Sequence, residues 1–336
     1  MRCTFWAIGL VLVSVSALEA SDDFFKGKTI TIINSTGNGG SYFNLAQSIS
    51  RYMPKYIPGA PGMVVKSMPG AGNVLATNFM YNTAPRDGTH IATINNSIPL
   101  HQALKGRGVQ YDATKFNWLG STGTYNSVAY AWSASGVTKI QDVFEREVLL
   151  GGTGAGSSIV IYPAAMNNLL GAKFKIVLGY KSTSEIDIAM ERGEVQARTG
   201  SFTGLRSEHP EWLRDRKVNI LLQIGGKPDP DLPNVPMLTD LARNAQERQI
   251  LEVVSSPIAL GRPYLAPPGI QADRLALLRS AFSKTMQDEA FLSEVKKMDH
   301  EIDPLSADET ARVVNSAINA PRAILDKAMA ILGPME

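Results

Sequence analysis

The stretch KTITIINSTGNGGSYFNLAQSISRYM, Lys28–Met53, contains a complete strand, glycine-rich loop and helix. β-branched residues alternate with other residues from Lys28 to Ile33, which predicts a strand. After the glycines, apolar residues recur at helical spacing, at Tyr42, Leu45, Ala46, Ile49, Tyr52 and Met53. Ser41 can cap that helix.

The alternation of strand and helix continues along the chain. Strands are predicted at Met63–Met68 and Thr89–Ile94, with a helix at Val74–Asn82 between them. In a second unit, from about residue 123 to 250, a strand is predicted around Val128–Trp132, and four more at Glu147–Leu150, Phe174–Gly179, Glu194–Arg198 and Lys217–Ile224. Strands that alternate with helices indicate βαβ units, so the predicted fold class is α/β with mainly parallel sheets.

The last part of the chain is predicted to be helical. Ser306 and Glu309 form a capping box that opens a helix. Helices without strands of their own must cover an existing sheet, so we expect the chain to return to its first unit. This gives two lobes joined by two hinge crossings. The lobes are 21–122 with 256–336, and 123–255; the crossings lie near 120–124 and 252–260.

The N-terminus has the pattern of a secretory signal peptide. Arg2 precedes an apolar run, and small residues such as Ala17 and Ala20 follow it. The run is shorter than the roughly 20 residues of a membrane-spanning helix. We therefore predict a signal peptide over residues 1–20, cleaved after Ala17 or Ala20, and an exported mature protein.

Composition and charge argue against several classes of protein. The 336 residues are 44% hydrophobic and 19% charged, as in ordinary globular proteins. The net charge is +2 and Lys and Arg do not cluster, which argues against a nucleic-acid partner. The single cysteine, Cys3, lies in the predicted signal peptide, so no disulfide or thiolate chemistry is expected.

The segment GGTGAGSS, Gly151–Ser158, resembles a phosphate-binding or catalytic loop but fits none of the known patterns. It lacks the lysine of a nucleotide-binding P-loop, the spacing of a dinucleotide loop and the central serine of a nucleophile elbow. Together with NSTGNGGS, Asn34–Ser41, it provides two glycine loops that each follow a strand. Such loops either only make the turn or hold an anion with backbone N–H groups at a helix start.

Acid–base and metal chemistry have little support in the sequence. The histidines do not show metal-ligand spacing and lie at His90, His101, His209 and His300. The carboxylates Glu185, Asp187, Glu191 and Glu194 are expected on an exposed helix face. No metal or cofactor is predicted.

Seven segments, in chain order, carry a family resemblance: ITIINSTGNGGSYFNLAQ, KSMPGAGN, APRDGTHIAT, GGTGAGSS, LGYKSTSEIDIAMERGEVQA, DPDLPNVPML and YLAPPG. Together they resemble the solute receptors of tripartite tricarboxylate transporters, the TctC or Bug family. The resemblance implies a type II-like two-lobe periplasmic binding protein, not an enzyme. Such a receptor, here expected to be a monomer, closes on a di-, tri- or aromatic carboxylate and delivers it to membrane permease subunits.

The resemblance also implies which residues bind the solute. One carboxylate is held by backbone amides, hydroxyls and ordered water from one loop per lobe. The implied residues of the first loop are Ser35, Thr36, Asn38, Gly39, Gly40, Ser41, Tyr42 and Phe43. Those of the second are Thr153, Gly154, Ala155, Gly156, Ser157 and Ser158, and Ser201, Phe202 and Thr203 would meet the tail of the solute.

The chain departs from the family where many members carry acidic residues. It has Ser41, Tyr42 and Phe43 after the first glycine pair, and Phe202 near the last predicted strand. We therefore expect a solute with an apolar or aromatic body rather than citrate, unless Tyr42 only packs inward. Two alternatives remain at this stage, a signalling receptor that differs only in its partner, and a secreted hydrolase that would need a base for Ser157 or Ser158.

Overall fold

The computed structural model describes residues 24–300 and 302–332. The predicted signal peptide lies outside the described residues. The strands are β1 Thr29–Asn34, β2 Gly62–Ser67, β3 His90–Thr93, β4 Asn117–Ser121, β5 Ser127–Trp132, β6 Val148–Gly152, β7 Phe174–Leu178, β8 Ala197–Ser201, β9 Val218–Ile224 and β10 Pro263–Ala266. The helices are α1 Ser41–Tyr52, α2 Val74–Asn82, α3 Ile98–Ala103, α4 Asp142–Glu145, α5 Ser158–Ala165, α6 Thr183–Glu191, α7 Phe202–Glu208, α8 Pro210–Arg214, α9 Ala245–Ser255, α10 Ala272–Thr285, α11 Glu289–Lys297, α12 Ala307–Ile318 and α13 Arg322–Leu332.

The strands form two five-stranded sheets. The first has the order β2-β1-β3-β10-β4 and the second the order β7-β6-β8-β5-β9. In each sheet one strand runs against its neighbours, β10 in the first and β5 in the second, and the other strands run parallel. The predicted α/β class with a mainly parallel sheet in each lobe is therefore confirmed. The reversed strand in each sheet is the one that follows a crossing from the other lobe.

Helices cover both faces of each sheet, which explains why its central strands are apolar throughout. In β1, Ile30 and Ile32 pack into the core under α1, α10 and α11, whereas Ile33 packs into the core under α2 and α12. The second sheet is covered by α5, α9 and α13 on one face and by α6, α7 and α8 on the other. Each lobe is thus a three-layer helix–sheet–helix sandwich.

The end of the chain departs from the expected lobe division. Leu325, Ala328 and Leu332 of α13 pack into the core of the second lobe. The expectation that residues 256–336 all belong to the first lobe is therefore wrong for 322–332. A third connection, 319–321, runs from α12 to α13 beside the two predicted crossings. The apolar stripe of α13 was visible in the sequence, but a stripe does not specify which of two sheets it covers.

The two predicted crossings lie side by side as residues 122–126 and 256–262. The Thr122 N–H donates to the carbonyl of Arg262 at 3.2 Å. Gly261 has φ +62°, and a Cβ there would meet the carbonyl oxygen of Gly123. Gly261 is therefore required by the close approach of the two segments.

Several local predictions need correction. Gly40, not Ser41, is the N-cap of α1, and Ser41 is the first helical residue. The strand expected at Glu194–Arg198 is observed at Ala197–Ser201. The capping box of Ser306 and Glu309 is confirmed, because each side chain bonds the backbone N–H of the other. Among the described residues, no helix has both the length and the apolar composition to cross a bilayer.

Candidate functional site

A cleft of about 310 Å³ lies between the two lobes. Its walls are formed by loops that leave the carboxyl ends of the parallel strands, at Ser35 after β1, Asn95 after β3 and Thr153 after β6. Ligands of open α/β sheets bind at this edge, because strand ends and helix starts meet there. The cleft therefore lies where the fold concentrates free backbone donors.

The structure brings many of the predicted residues together in this cleft. Those that line it are Ser35, Thr36, Gly39, Gly40, Ser41, Tyr42, Thr153, Ser157, Ser158 and Ser201. The remaining predicted positions do not line it: Asn38, Phe43, Gly154, Ala155, Gly156, Phe202 and Thr203. Phe202 instead packs into the core of the second lobe.

Other parts of the chain also line the cleft and were missed by the sequence reasoning. Two whole loops contribute, Pro69–Asn73 after β2 and Gly179–Thr183 after β7. Single residues also contribute, at Asn95, Tyr125, Ser127, Ile159 and Gly200. Both loops belong to the segments that carry the family resemblance, KSMPGAGN and LGYKSTSEIDIAMERGEVQA, so a signal for them was present.

Two helices begin at the cleft. α1 begins at Ser41 after the N-cap Gly40, and α5 begins at Ser158 after the N-cap Ser157. Neither helix has an acidic residue in its first turn or a hydrogen bond from its N-cap side chain, and at α5 the Ser158 N–H donates to Oδ1 of Asn95 at 3.4 Å. First-turn N–H groups have no partner within their helix, and the helix dipole makes that end partly positive. The cleft therefore offers two anion-binding helix starts without an acidic residue, one from each lobe.

The described lining of the cleft contains hydroxyls, amides, backbone groups and the cationic Lys181, but no Asp, Glu, His or Cys. The Ser35 hydroxyl accepts the Asn95 N–H at 3.1 Å, and the Ser182 hydroxyl accepts the Glu185 N–H at 3.3 Å. Serine becomes a nucleophile only beside a base that takes its proton. The arrangement suits the binding of an anion.

The glycines of GGTGAGSS bring the lobes into contact. A Cβ on Gly154 would lie 2.5 Å from the backbone nitrogen of Gly72, and one on Gly156 would lie 2.8 Å from the carbonyl oxygen of Gly72. The Ser97 hydroxyl donates to the Gly156 carbonyl at 2.6 Å across the same contact. These glycines therefore permit close approach between the lobes, whereas the sequence reasoning placed them against the solute.

A second contact between the lobes forms at the other glycine loop. The Gly37 N–H donates to the carbonyl of Lys181 at 2.9 Å, and a Cβ on Gly37 would lie 2.8 Å from the same oxygen. The two glycine loops thus each meet a loop of the opposite lobe. The structure is that of a closed cleft.

Helix α5 contains a proline in its interior. It begins at Ser158 and continues through Pro163 to Ala165. Proline has no N–H, so the carbonyl of Ile159, four residues earlier, loses its helical donor. The hydroxyl of Thr199 in β8, fully buried, donates to that carbonyl at 2.8 Å. A neighbouring strand thus completes the helix that opens the cleft.

We expect Thr199→Val to lower the free energy of unfolding by about 1–3 kcal/mol, because the buried carbonyl of Ile159 is left without a donor. The matched control is Thr310→Val in α12. The Thr310 hydroxyl donates to the Ser306 carbonyl, but that carbonyl also accepts the Thr310 N–H, so a smaller loss is expected. Urea denaturation measures the free energy of unfolding of both variants. Equal losses in the two variants would contradict this role of Thr199, as would a failure of Pro163→Ala to rescue Thr199→Val.

Tyr42 is buried and also lines the cleft. Its hydroxyl lies 3.3 Å from the Gly261 carbonyl, to which it donates, and accepts the Asn96 N–H at 3.2 Å. Burial raises the pKa of Tyr42, so the phenol stays protonated and keeps its donor. It ties the start of α1 to the second crossing.

Comparison with known proteins agrees with this architecture. A Cupriavidus necator protein described as the UPF0065 protein in the gbd 5′ region is 23% identical over 335 residues, which cover 96% of this chain and 93% of the relative. The periplasmic binding protein BugD superposes with a TM-score of 0.74 at 17% identity, covering 90% of this chain and 98% of BugD.

Two further solved structures are named with their ligands. MatC from Rhodopseudomonas palustris, with bound malate, has a TM-score of 0.71 at 18% identity over 89% of this chain and 99% of MatC. A second R. palustris protein, solved with adipate, has a TM-score of 0.71 at 16% identity over 90% of this chain and 98% of that protein. These matches establish the two-lobe periplasmic binding protein fold.

The family model for the tripartite tricarboxylate transporter family receptor, TctC, matches residues 54–329. That span contains most of both lobes and the second glycine loop, and the matched solved structures share the fold of the whole described chain. The chain therefore belongs to the TctC family of tripartite tricarboxylate transporter receptors.

Proposed function

We propose that the protein is a periplasmic solute receptor that captures a small carboxylate in the cleft and delivers it to the permease of a tripartite tricarboxylate transporter. The observation that carries the proposal is the pair of helix starts without an acidic residue, Ser41 and Ser158, which face one cleft from opposite lobes. A carboxylate that bridges them neutralises both helix ends and holds the lobes together. Binding and closure are then one event.

The predicted binding residues that line the cleft fit roles in this proposal. Ser35, Thr36 and Thr153 supply hydroxyls, and the first-turn N–H groups of α1 and α5 supply backbone donors. Gly154 and Gly156 act through closure rather than by contact with the solute. Asn38, Phe43, Ala155 and Phe202 have no role in the binding geometry.

The remaining lining favours a solute with an apolar or aromatic body. Tyr42, Tyr125, Tyr180, Pro69 and Ile159 line the cleft, and no described lining residue is acidic. A volume of about 310 Å³ lies at the lower end of small-molecule sites. Malate and adipate, named with two of the related structures, show that the fold accommodates dicarboxylates of different length.

The permease, the periplasmic location and the non-enzymatic role are supported by the family. Its description is that of a transporter receptor, and BugD is titled a periplasmic binding protein. The export signal predicted in residues 1–20 agrees with that location. Loss of solute uptake in cells that lack this chain but keep the permease is the expected transport phenotype.

A thermal-shift screen of the mature chain tests the proposal. The panel contains benzoate, adipate, malate and citrate, each paired with its neutral amide. A ligand that binds only the folded state stabilises it by about 2.7 kcal/mol at a concentration of 100 Kd. We expect a rise in Tm with one carboxylate class, no rise with the amide of the same compound, and no product formed.

The outcomes separate the parts of the proposal. Calorimetric titration gives the ranking, and tighter binding of citrate than of benzoate or adipate would refute the apolar-body hypothesis alone. If no carboxylate raises Tm, the receptor proposal fails for this cleft. If a carboxylate is consumed, the hydrolase alternative replaces it.

A further inference from the structure

Arg262 is a buried cation immediately behind the cleft. It ends the second crossing, next to Gly261, and is 4% exposed. Within residues 24–300 and 302–332, no carboxylate lies within ion-pair distance of its guanidinium. Buried charges are normally paired, because the loss of hydration is costly. An unpaired buried arginine in a hinge therefore calls for a counter-charge that comes from elsewhere.

The hydrogen bonds of Arg262 lead to the cleft wall. Its Nη2 lies 2.9 Å from Oγ of Ser201, 3.2 Å from Oγ of Ser41 and 3.3 Å from Oγ1 of Thr203. Ser41 belongs to the first lobe and Ser201 to the second, and both line the cleft. The guanidinium carbon also lies 4.1 Å from the ring centroid of Tyr125, a third lining residue. The charge is thus one hydroxyl away from the solute space in both lobes.

The donors of Arg262 decide how these hydroxyls are oriented. Oγ of Ser201 accepts from Arg262 and from the Gly204 N–H at 3.1 Å, so both of its lone pairs are used and its hydrogen is donated to Oγ1 of Thr203 at 2.8 Å. Oγ of Ser41 accepts from Arg262, which leaves its hydrogen free to point into the cleft. An arginine behind a hydroxyl therefore turns that hydroxyl into a donor, and polarises it.

Two nearby titratable groups do not cancel this charge. Burial raises the pKa of Glu208, which disfavours its anion, and Glu208 makes no hydrogen bond to Arg262. Burial, with Arg262 and Arg206, lowers the pKa of His300 to about 3, so the imidazole stays neutral near pH 7. The charge of Arg262 is left for a bound anion.

We propose that Arg262 is the positioning residue that selects an anionic solute, by orienting and polarising the hydroxyl of Ser41 towards it. This inference rests on the proposed function, since it assigns the counter-charge of the same cleft. Arg262 does not touch the solute. Its contribution is the preference for a carboxylate over a neutral compound of the same shape.

The test measures that preference by calorimetric titration at pH 7 with two pairs, benzoate with benzamide and adipate with adipamide. In Arg262→Met we expect the ratio of carboxylate to amide affinity to fall about tenfold or more, as for the loss of one charge-assisted interaction. Arg262→Lys keeps the charge and is expected to retain part of the ratio. Arg279→Met is the matched control, because Arg279 lies in α10 and donates to the Trp118 carbonyl away from the cleft.

A purely structural role of Arg262 makes a different prediction. A distorted hinge weakens the binding of carboxylate and amide alike, so the ratio of their affinities stays unchanged. That result in Arg262→Met would overturn the inference while the proposed function stands. If Arg262→Met does not fold, Ser41→Ala removes the hydroxyl and keeps the arginine, and must lower the same ratio. If the wild-type protein binds no carboxylate of either pair, the proposed function fails and the inference falls with it.

Discussion

Gly154→Val is expected to weaken solute binding strongly while the unliganded protein stays folded. A Cβ at this position would lie 2.5 Å from the nitrogen and 3.0 Å from the Cα of Gly72, across the contact between the lobes. These are backbone atoms, so only a separation of the loops relieves the overlap. Overpacking costs about 1–3 kcal/mol per site, and valine adds two methyl groups beyond the Cβ, so we expect affinity to fall by about a hundredfold.

The effect should appear in closure and not in stability. In an opened cleft Gly72 no longer faces Gly154, so the Tm of the unliganded variant is expected to stay near that of the wild type. Small-angle scattering with and without solute then reports one extended form for the variant and two forms for the wild type. Gly226→Ala is the control, because a Cβ there meets nothing within 4 Å. Wild-type affinity in a folded Gly154→Val protein would contradict the assignment of this glycine to closure.

The sequence predicted the local elements well because their signals are local. The helix Val74–Asn82 was predicted with its observed bounds, and the glycine loops follow strands as expected. The family resemblance pointed to the loops Ser35–Phe43 and Thr153–Ser158, and some residues of each line the cleft. What local signals do not contain is which loop of the opposite lobe each of these meets.

The missed residues share that cause. The loop Pro69–Asn73 reads as a turn, and only its contact with Gly154 and Gly156 reveals that it completes the cleft. Arg262 had a signal that was not used, since it is a single charged residue inside the apolar segment SSPIALGRPYLAPPG. An isolated arginine in a run that must be buried predicts a buried charge, and a buried charge predicts a partner.

Asp187 was misassigned for a different reason. It was expected on the exposed face of α6 with Glu185, Glu191 and Glu194, but it is 2% exposed. Asp187 follows Ile186 directly and lies on the buried side of α6 with Met190. Composition alone made the helix look polar, whereas the spacing placed one carboxylate among the apolar positions. The basic partner, Arg198, lies on a strand and cannot be paired with Asp187 from helical spacing.

That buried pair leads to the largest expected effect on stability. Arg198 donates from Nε and Nη2 to the two oxygens of Asp187, at 2.6 and 3.0 Å, and both side chains are 3% exposed. Removing one partner of a buried pair leaves an uncompensated charge, which costs about 3–5 kcal/mol. We therefore expect Asp187→Ala to lower the free energy of unfolding by that amount. Asp215→Ala, which breaks the exposed pair with Arg214, is expected to have a much smaller effect, because water screens an exposed ion pair.

The pH dependence gives an independent check on the same cluster. Burial alone would raise the pKa of Asp187, but Arg198 and His209 lower it. The ionised carboxylate therefore stabilises the folded protein fully at pH values above its ordinary pKa of 3.8. This contribution is lost as the pH falls through the lowered pKa. Burial alone would lower the pKa of His209, but its bond to Asp187 raises it. The stabilisation from His209 is therefore complete below the ordinary value of 6.5 and is lost as the pH rises through the raised pKa.

Urea denaturation at several pH values measures the contributions of Asp187 and His209 to stability. Trp212 serves as a local fluorescence probe, because its ring stacks on His209 with 3.9 Å between the ring centroids. The wild-type protein is expected to lose stability as the pH rises above 6.5, and Asp187→Ala is expected to lack this loss because His209 has no acidic partner of that strength. A variant that keeps the wild-type pH profile would show that the histidine is stabilised by another group. If Asp187→Ala lowers the free energy of unfolding by less than about 1 kcal/mol, Arg198 has found water or a new partner in the variant.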